Sequence, residues 1–266
     1  MVSDKHLPLD ILVCDDSMTV AQFVIRAIEK SGIPARCTIV GDGNDCLRAL
    51  KRQNFSLAFI DVNLPGRSGI EAISIARKAG VQTFFVVMST EKNPERIQLA
   101  RSLGVYEYLS KPFGPERVAD IMRTYMRIST QTSVLLVDDS ATTRKVITRV
   151  LRQSLFDIAV EEAESGEAAL SLYKPRRHDI VFLDINMPGL DGPETLKRLK
   201  ALNIGVRFVL ITSDRSSALR NSLGGDMAEL LLYKPFFAED IDILLHKLFE
   251  FDPPSFGEQE DNLVLL

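Results

Sequence analysis

Cysteine is scarce in this chain. Only Cys14, Cys37 and Cys46 occur among 266 residues, all in the first half and none at a metal-ligand spacing. Cys14 lies inside an apolar run, where a thiol serves as a small buried hydrophobe. Zinc and a disulfide framework are therefore not expected, and a reduced, cytoplasmic setting is. No apolar run approaches the ~20 residues of a membrane helix. The segment Met1–Leu9 carries charge and Pro8 and has no signal-peptide core. No GxxxxGK[ST] segment is present, which excludes a P-loop nucleotide enzyme. A dense basic patch is also missing, so no nucleic-acid partner is expected.

What is present is the composition of a globular protein: 45% hydrophobic and 26% charged residues. The length suits about two domains, each large enough to bury its own core. Charge is uneven. Residues 1–128 hold 17 basic and 14 acidic side chains, and the remainder hold 15 and 22. Two solvated surfaces and an acidic tail account for that difference. Differently charged partners for the two halves are the sharper alternative.

A pattern of polar residues occurs twice at identical spacing. Asp15-Asp16, Asp61, Ser89 and Lys111 form the first copy, with gaps of 45, 28 and 22 residues counted from Asp16. Asp138-Asp139, Asp184, Thr212 and Lys234 form the second, with the same gaps counted from Asp139. The period of 123 residues is that of a duplicated domain, not a solenoid repeat. Each repeated residue ends an apolar run. Packing alone would repeat the apolar residues, so the repeated polar ones point to a site present twice.

Each half alternates short apolar runs with amphipathic stretches. Strands are predicted at Ile11–Cys14, Cys37–Val40, Leu57–Ile60, Thr83–Met88 and Tyr106–Leu109. Val20, Phe23, Val24, Ala27 and Ile28 form one apolar helical stripe, with Gly32 as its stop signal. Further helices are predicted near Asp45–Arg52, Gly69–Ala79, Pro94–Leu103 and Pro115–Arg127. In the second half the strands are Val134–Val137, Ile158–Glu161, Ile180–Leu183, Phe208–Ile211 and Leu230–Tyr233. The helices there are near Thr142–Gln153, Gly166–Tyr173, Pro193–Leu202, Ser216–Leu223 and Ala238–Phe249. Strict β-α alternation implies a parallel sheet with right-handed crossovers. The expected fold is α/β: two tandem flavodoxin-like, doubly wound, five-stranded domains, over 1–128 and 133–250. Residues 251–266, beginning near DPPSFGEQEDNLVLL, are expected to form a frayed acidic tail, with a docking peptide as the alternative.

In such sheets the ligand crevice lies beyond the carboxyl ends of the strands, where the repeated residues fall. Three convergent carboxylates repel one another unless a cation intervenes. An all-oxygen donor set favours magnesium. A carboxylate beside magnesium can attack phosphorus, while a lysine and a hydroxyl hold the phosphoryl oxygens. A lone Asp at a strand end is usually a turn residue or helix cap. The eight positions Asp16, Asp61, Ser89 and Lys111 with Asp139, Asp184, Thr212 and Lys234, in one fixed pattern, are not explained that way.

The chain resembles two response-regulator receiver domains in tandem. The matching segments are VCDDS and LVDDS, IDVNLPGRSG and LDINMPGLDG, VVMST and VLITS, and SKPF and YKPF. The resemblance implies that Asp61 and Asp184 accept a phosphoryl group from a sensor histidine kinase or phosphotransfer protein. It implies that Asp16 and Asp139 bind Mg2+ directly, Asp15 and Asp138 through water, and Asn63 and Asn186 through backbone carbonyls. It also implies cis Lys111–Pro112 and Lys234–Pro235 bonds. Ser89 and Lys111, like Thr212 and Lys234, would hold the phosphoryl group. Tyr108 would be the aromatic that follows Ser89 inward in the switch. The second copy departs from the pattern, with Leu231 at that place, and Thr90 departs as a larger residue than the family often has after the hydroxyl. Asn63 with Glu91, and Asn186 with Asp214, resemble the pair flanking the attacking water, so self-dephosphorylation is expected to be quick in both.

The expected role is a conformational switch rather than a metabolic enzyme. Output would pass through contact with another, unidentified protein, and a homodimer is open. Alternatives are the receiver portion of a longer regulator with an enzymatic output such as a nucleotide cyclase, a phosphate sink or relay, or one domain serving as an adaptor. An Asp-nucleophile phosphatase is weaker, because Asn63 and Asn186 stand where its second acid belongs. His6, His178 and His246 lie in no phosphotransfer context and are expected on the surface or in packing.

Overall fold

A computed structural model describes residues 8–173, 178–202, 206–216 and 230–252, and the backbone of 263–265. The chain divides into two compact units between Met126 and Arg127. In the first, β1 (Leu9–Cys14), β2 (Ala35–Val40), β3 (Leu57–Asp61), β4 (Phe84–Ser89) and β5 (Glu107–Ser110) alternate with α1 (Met18–Lys30), α2 (Gly43–Arg52), α3 (Gly69–Lys78), α4 (Pro94–Ser102) and α5 (Pro115–Ile128). The sheet order is β2-β1-β3-β4-β5, and every pairing is parallel. This is the doubly wound, flavodoxin-like arrangement expected from the sequence. All five residues of β3 are buried, as a central strand covered on both faces requires.

Local chemistry explains where the helices start. Ser17 accepts a hydrogen bond from Val20 N, Asp42 from Asn44 N and Asp45 N, and Asn93 from Arg96 N. Ser68 and Glu71 form a reciprocal capping box at α3. The Asp42 cap explains why α2 begins at Gly43, two residues before the predicted start. Gly32 follows α1 with φ +75°, the left-handed conformation that glycine adopts without a Cβ penalty. The buried face of α1 is Ala21, Val24, Ala27 and Ile28. Phe23, expected in that stripe, turns outward and sits 5.8 Å from the ring of Phe113.

Two apolar layers enclose the sheet. One gathers Leu12, Cys14, Cys46, Ile60, Ile73 and Val87. The other gathers Ile11, Val13, Val24, Phe59, Val86 and Met122. At ~25 cal/mol per Å2, each such side chain contributes roughly 1.5–3 kcal/mol of burial. Cys14 is buried with its thiol beside Cys46, and burial pushes its pKa well above the ordinary thiol value. All three cysteines are free thiols.

The second unit repeats the plan with β6 (Thr132–Val137), β7 (Ile158–Ala163), β8 (Ile180–Asp184), β9 (Arg207–Thr212) and β10 (Leu230–Tyr233). Its described helices are α6 (Ala141–Leu151), α7 (Gly166–Leu172), α8 (Gly192–Leu202) and α9 (Ala238–Leu248). Apart from Ser216, the helix predicted at Ser216–Leu223 lies outside the described residues. The five parallel strands keep the order β10-β9-β8-β6-β7. A sixth strand, β11 (Leu263–Leu265), pairs antiparallel with β10, Leu231 opposite Val264. Of the tail expected to be frayed or to form a docking peptide, residues 263–265 are described as this strand. Its apolar residues find a backbone partner along the open edge of β10.

His178 and His246 are both buried. His178 Nε2 lies 2.8 Å from Glu161 Oε2, and its ring stacks with Tyr173. His246 Nδ1 lies 2.6 Å from the Asp242 carbonyl.

Candidate functional site

In each unit the polar set converges beyond the carboxyl ends of the strands. Asp15 follows β1, Asp61 ends β3, Ser89 ends β4, and Lys111 follows β5. The parallel register holds these ends level: Ile60 pairs with Cys14 and Val87, and Ser89 with Ser110. Asp15 and Asp61 are buried, while Asp16 is exposed at the mouth. Ligand oxygens of the three carboxylates lie within 4.8 Å of one another. Asp138, Asp139 and Asp184 do the same in the second unit.

A lysine partly neutralises each cluster. Lys111 Nζ donates to Asp15 Oδ2 and Asp61 Oδ2, both at 2.7 Å. Burial disfavours its charge, but the bonds and the negative charge of the two carboxylates outweigh that and raise its pKa. The remaining oxygens have backbone donors. Asp15 Oδ1 accepts from Ser17 N at 2.9 Å, and Asp61 Oδ1 from Asn63 N at 3.1 Å. Ser89 Oγ accepts from Glu91 N at 3.1 Å, which leaves its own proton to donate into the pocket. Both Lys111–Pro112 and Lys234–Pro235 are cis.

The second cluster is held less evenly. Lys234 Nζ lies 2.7 Å from Asp138 Oδ2 and 3.2 Å from Asp184 Oδ1. Burial raises the Asp184 pKa; Lys234 opposes this, and the charges of Asp138 and Asp139 add to it. Thr212 Oγ1 accepts from Asp214 N at 3.0 Å, matching Ser89. Asn186 lies two residues beyond Asp184, in the loop that leads to α8.

The clusters fit a hard divalent cation. Each brings three carboxylates together against one close ammonium, and the donors are all oxygen. Close packing of α3 on Asp61, and of α8 on Asp184, keeps each pocket tight. A Cβ on Gly69 would lie 2.0 Å from the Asp61 carbonyl oxygen, and one on Gly192 2.4 Å from that of Asp184.

Tyr108 is buried, pairs with Val87 in register, and donates its hydroxyl to the Glu91 carbonyl at 3.0 Å. Its ring therefore already packs inward, beneath the loop that follows Ser89. Leu231 is fully buried at the matching place. Tyr233, two residues on, shares its apolar cluster and lies beneath Arg215, and among the described residues its buried hydroxyl has no partner.

The repeat pattern missed three residues. Arg96 places Nη1 3.4 Å from Asn63 Oδ1 and 3.2 Å from Glu91 Oε2, across the mouth of the first pocket. Arg144 donates to the Asp138 carbonyl at 2.7 Å and to Glu162, where the first unit has Ala21. Tyr233 is the third. None is repeated in the other half, so the signal that found the pockets could not find them. An open apolar cavity of about 530 Å3 adjoins Lys111, lined by Thr19, Val20, Phe23, Thr90, Pro112 and Phe113.

Comparison with known proteins agrees with this geometry. The response regulator receiver domain family matches residues 11–123 and again 134–246. Chemotaxis protein CheY of Bacillus subtilis is 32% identical over 108 residues, 41% of this chain and 89% of that protein. A protein-glutamate methylesterase/protein-glutamine glutaminase of Halalkalibacterium halodurans is 41% identical over 90 residues, 34% of this chain and 26% of that protein. The matched region thus spans about a quarter of the methylesterase. A crystal structure of a putative two-component response regulator/GGDEF domain protein superposes with a TM-score of 0.63 at 23% identity, over 91% of this chain and 98% of that one. At that identity the likeness concerns the fold.

Proposed function

Because the chain belongs to the response regulator receiver domain family, matched in both halves, we propose that each half is a working Mg2+-dependent phosphoacceptor, with Asp61 and Asp184 as the acceptors. One observation carries this reading: in both units the acceptor, two further carboxylates and a lysine meet in one pocket beside a hydroxyl-bearing strand end. Asp15, Asp16 and Asp61 would hold the metal in the first unit, with the Asn63 carbonyl. Asp138, Asp139 and Asp184 would hold it in the second, with that of Asn186. When bound, the metal offsets the negative charge that opposes approach of a phosphoryl group to a carboxylate.

The chain's own residues supply the rest. A carboxylate oxygen of Asp61 forms a bond to phosphorus as the P–N bond of a donor phosphohistidine breaks. The departing ring keeps that bond's electron pair and takes up one proton from solvent, so it leaves as neutral imidazole. The new acyl phosphate has lost the Asp61 charge that Lys111 was paired with, so the Lys111 ammonium turns to a phosphoryl oxygen. Ser89, which accepts one bond from Glu91 N, keeps its O–H and donates it to another oxygen. Thr212 and Lys234 act likewise on Asp184. The apolar cavity beside Lys111, with Phe23 and Thr19 of α1 on its wall, supports approach of a phosphodonor protein from that side. Tyr108 would carry the change to the outer face of β5. No described helix is long and apolar enough to cross a membrane.

Intact mass after incubation with Mg2+ and a small acyl phosphate tests this on wild type, Asp61→Asn and Asp184→Asn. Two phosphoryl groups are expected on wild type and one on each variant. A wild type that gains none, or gains mass equally in the double variant, overturns the reading. A longer regulator with an enzymatic output is supported by the methylesterase relative, most of which lies outside the match. The full reading frame decides that point.

A further inference from the structure

The two sheets treat their corresponding edges differently. The outer edge of β5 begins with Glu107, a buried carboxylate that pairs with Arg117 of α5. A charge turned inward on an edge strand discourages another strand from adding there. Among the described residues no strand covers β5. In β10 the matching residue is Leu230, and the strand reads Leu-Leu-Leu-Tyr with all four residues buried. It has no charge, proline or bulge to protect it. Its outer edge is instead paired with β11, Leu230 opposite Leu265 and Leu232 opposite Leu263.

We infer that the β10 edge is a strand-docking site for an extended apolar segment, filled in cis by residues 263–265 and open to the same segment of a second copy of this chain. Recognition there rests on backbone hydrogen bonds and register, which any copy reproduces. The paired segment is only three residues long, the lower end of strand lengths, so its release costs few bonds. Phe249, Glu250 and Phe251 are bonded back to the end of α9, so residues 252–262 form the tether, with an extended reach of roughly 35 Å. That length is enough to leave one β10 and reach another. The exchanged and closed forms then contain the same contacts, so concentration sets the balance between them. A short tether gives an effective local concentration on the order of millimolar, and exchange should grow as the protein approaches it.

The test uses the full chain and a variant that cannot donate, Leu263→Pro with Leu265→Pro, alongside Val264→Pro in case the hydrogen-bonded set alternates. The probe is a synthetic peptide of residues 257–266. Amide exchange is read at Leu230–Tyr233, on those amides that face away from β9. In the variants they should exchange at least 10-fold faster, and the peptide should restore protection. A tagged variant should retain untagged wild type, whereas two variant chains should not associate through this edge. Equal exchange in wild type and variants overturns the docking site. Peptide rescue without retention of wild type overturns the second copy as occupant. Neither result bears on phosphorylation at Asp61 and Asp184, which mass measurement reads separately.

Discussion

Replacing Gly69 by alanine should cripple phosphorylation at Asp61, although helix propensity favours the change. Gly69 is the first residue of α3, and alanine is worth about 1 kcal/mol over glycine in a helix interior. The added Cβ, however, would stand 2.0 Å from the Asp61 carbonyl oxygen, 2.7 Å from Ile60 Cγ2 and 3.0 Å from the Asp61 carbonyl carbon. Relief needs a movement of about 1 Å or more toward ordinary contact distances. β3 cannot move freely, because β1 and β4 pair with it on both sides. The displacement is therefore shared between the start of α3 and the acceptor backbone. Overpacking of this kind costs about 1–3 kcal/mol, enough to cancel or exceed the propensity gain. For catalysis a 1 Å misplacement costs on the order of 100-fold. The assay is the rate of mass gain at Asp61 in an Asp184→Asn background, with Mg2+ and a small acyl phosphate. Gly80→Ala is the control: Gly80 has φ +84° and no atom within 4 Å of an added Cβ, so it carries backbone strain alone. Its phosphorylation rate should stay within about 2-fold while its melting temperature falls. A Gly69→Ala protein that phosphorylates at the wild-type rate and melts no lower refutes the reasoning.

Three further outcomes are expected. Lys111→Met should bind Mg2+ on the order of tenfold more tightly by calorimetry while losing phosphoryl transfer, because the cation no longer competes with an ammonium 2.7 Å from two of its carboxylates; unchanged or weaker binding would count against the metal assignment. Arg96→Ala should shorten the life of phospho-Asp61 several-fold and leave phospho-Asp184 unchanged, since it frees Asn63 Oδ1 and Glu91 to accept from an attacking water; an equal or longer lifetime sinks this. Asp242 is pushed up to about 6 by burial, against its bonds from Ser154 and Leu155 and with help from Glu239. Its neutral form is favoured in the fold, so its contribution to stability is present below about pH 3.8 and is lost as pH rises through 6. Asp242→Asn keeps an oxygen for both donors, and its unfolding free energy from urea titration should match wild type near pH 4 and exceed it at pH 7, by at most about 3 kcal/mol; a pH-independent difference would refute the assignment.

Much of this was legible in the sequence, for a physical reason. Strands such as Leu57–Asp61 and Ile180–Asp184 are buried on both faces, so they read as uninterrupted apolar runs. The pocket residues stood out because duplication repeated them at fixed spacing. Element boundaries were less legible. Asp42 extends α2 to Gly43 through a cap that apolar periodicity does not register. Phe23 fitted the apolar stripe by spacing yet faces outward beside Phe113, since a large ring at the edge of the stripe can find its contacts across the β5-α5 loop. β11 lies in the stretch expected to be a frayed tail or a docking peptide, because a few apolar residues after acids and prolines carry no periodicity. Only the fold reveals that an unprotected edge lies within reach.

The unrepeated residues then decide how two similar pockets differ. The first has Lys111 equidistant between Asp15 and Asp61, Arg96 across its mouth, and Tyr108 tied to the loop that carries Glu91. Ser89 and Tyr108 are thus bonded to the same residue, Glu91, the first through its amide and the second through its carbonyl. The second has Lys234 closer to Asp138 than to Asp184, which leaves the acceptor less well paired. Leu231 offers no hydroxyl to the loop after Thr212, and the outer edge of β10 is already occupied by β11. Among the described residues, two features of β10 stand closest to Thr212 and Lys234: Tyr233, beside Lys234 in sequence and opposite Thr212 in register, and the pairing of β11 along the same strand. Tyr233→Phe separates the two. Among the described residues the phenol has no partner to lose, so the substitution should leave stability within about 0.5 kcal/mol. If it also leaves β10 amide exchange insensitive to phosphorylation of Asp184 where wild type responds, the tyrosine hydroxyl is the route. If the response persists, the change travels along the β10 backbone to β11.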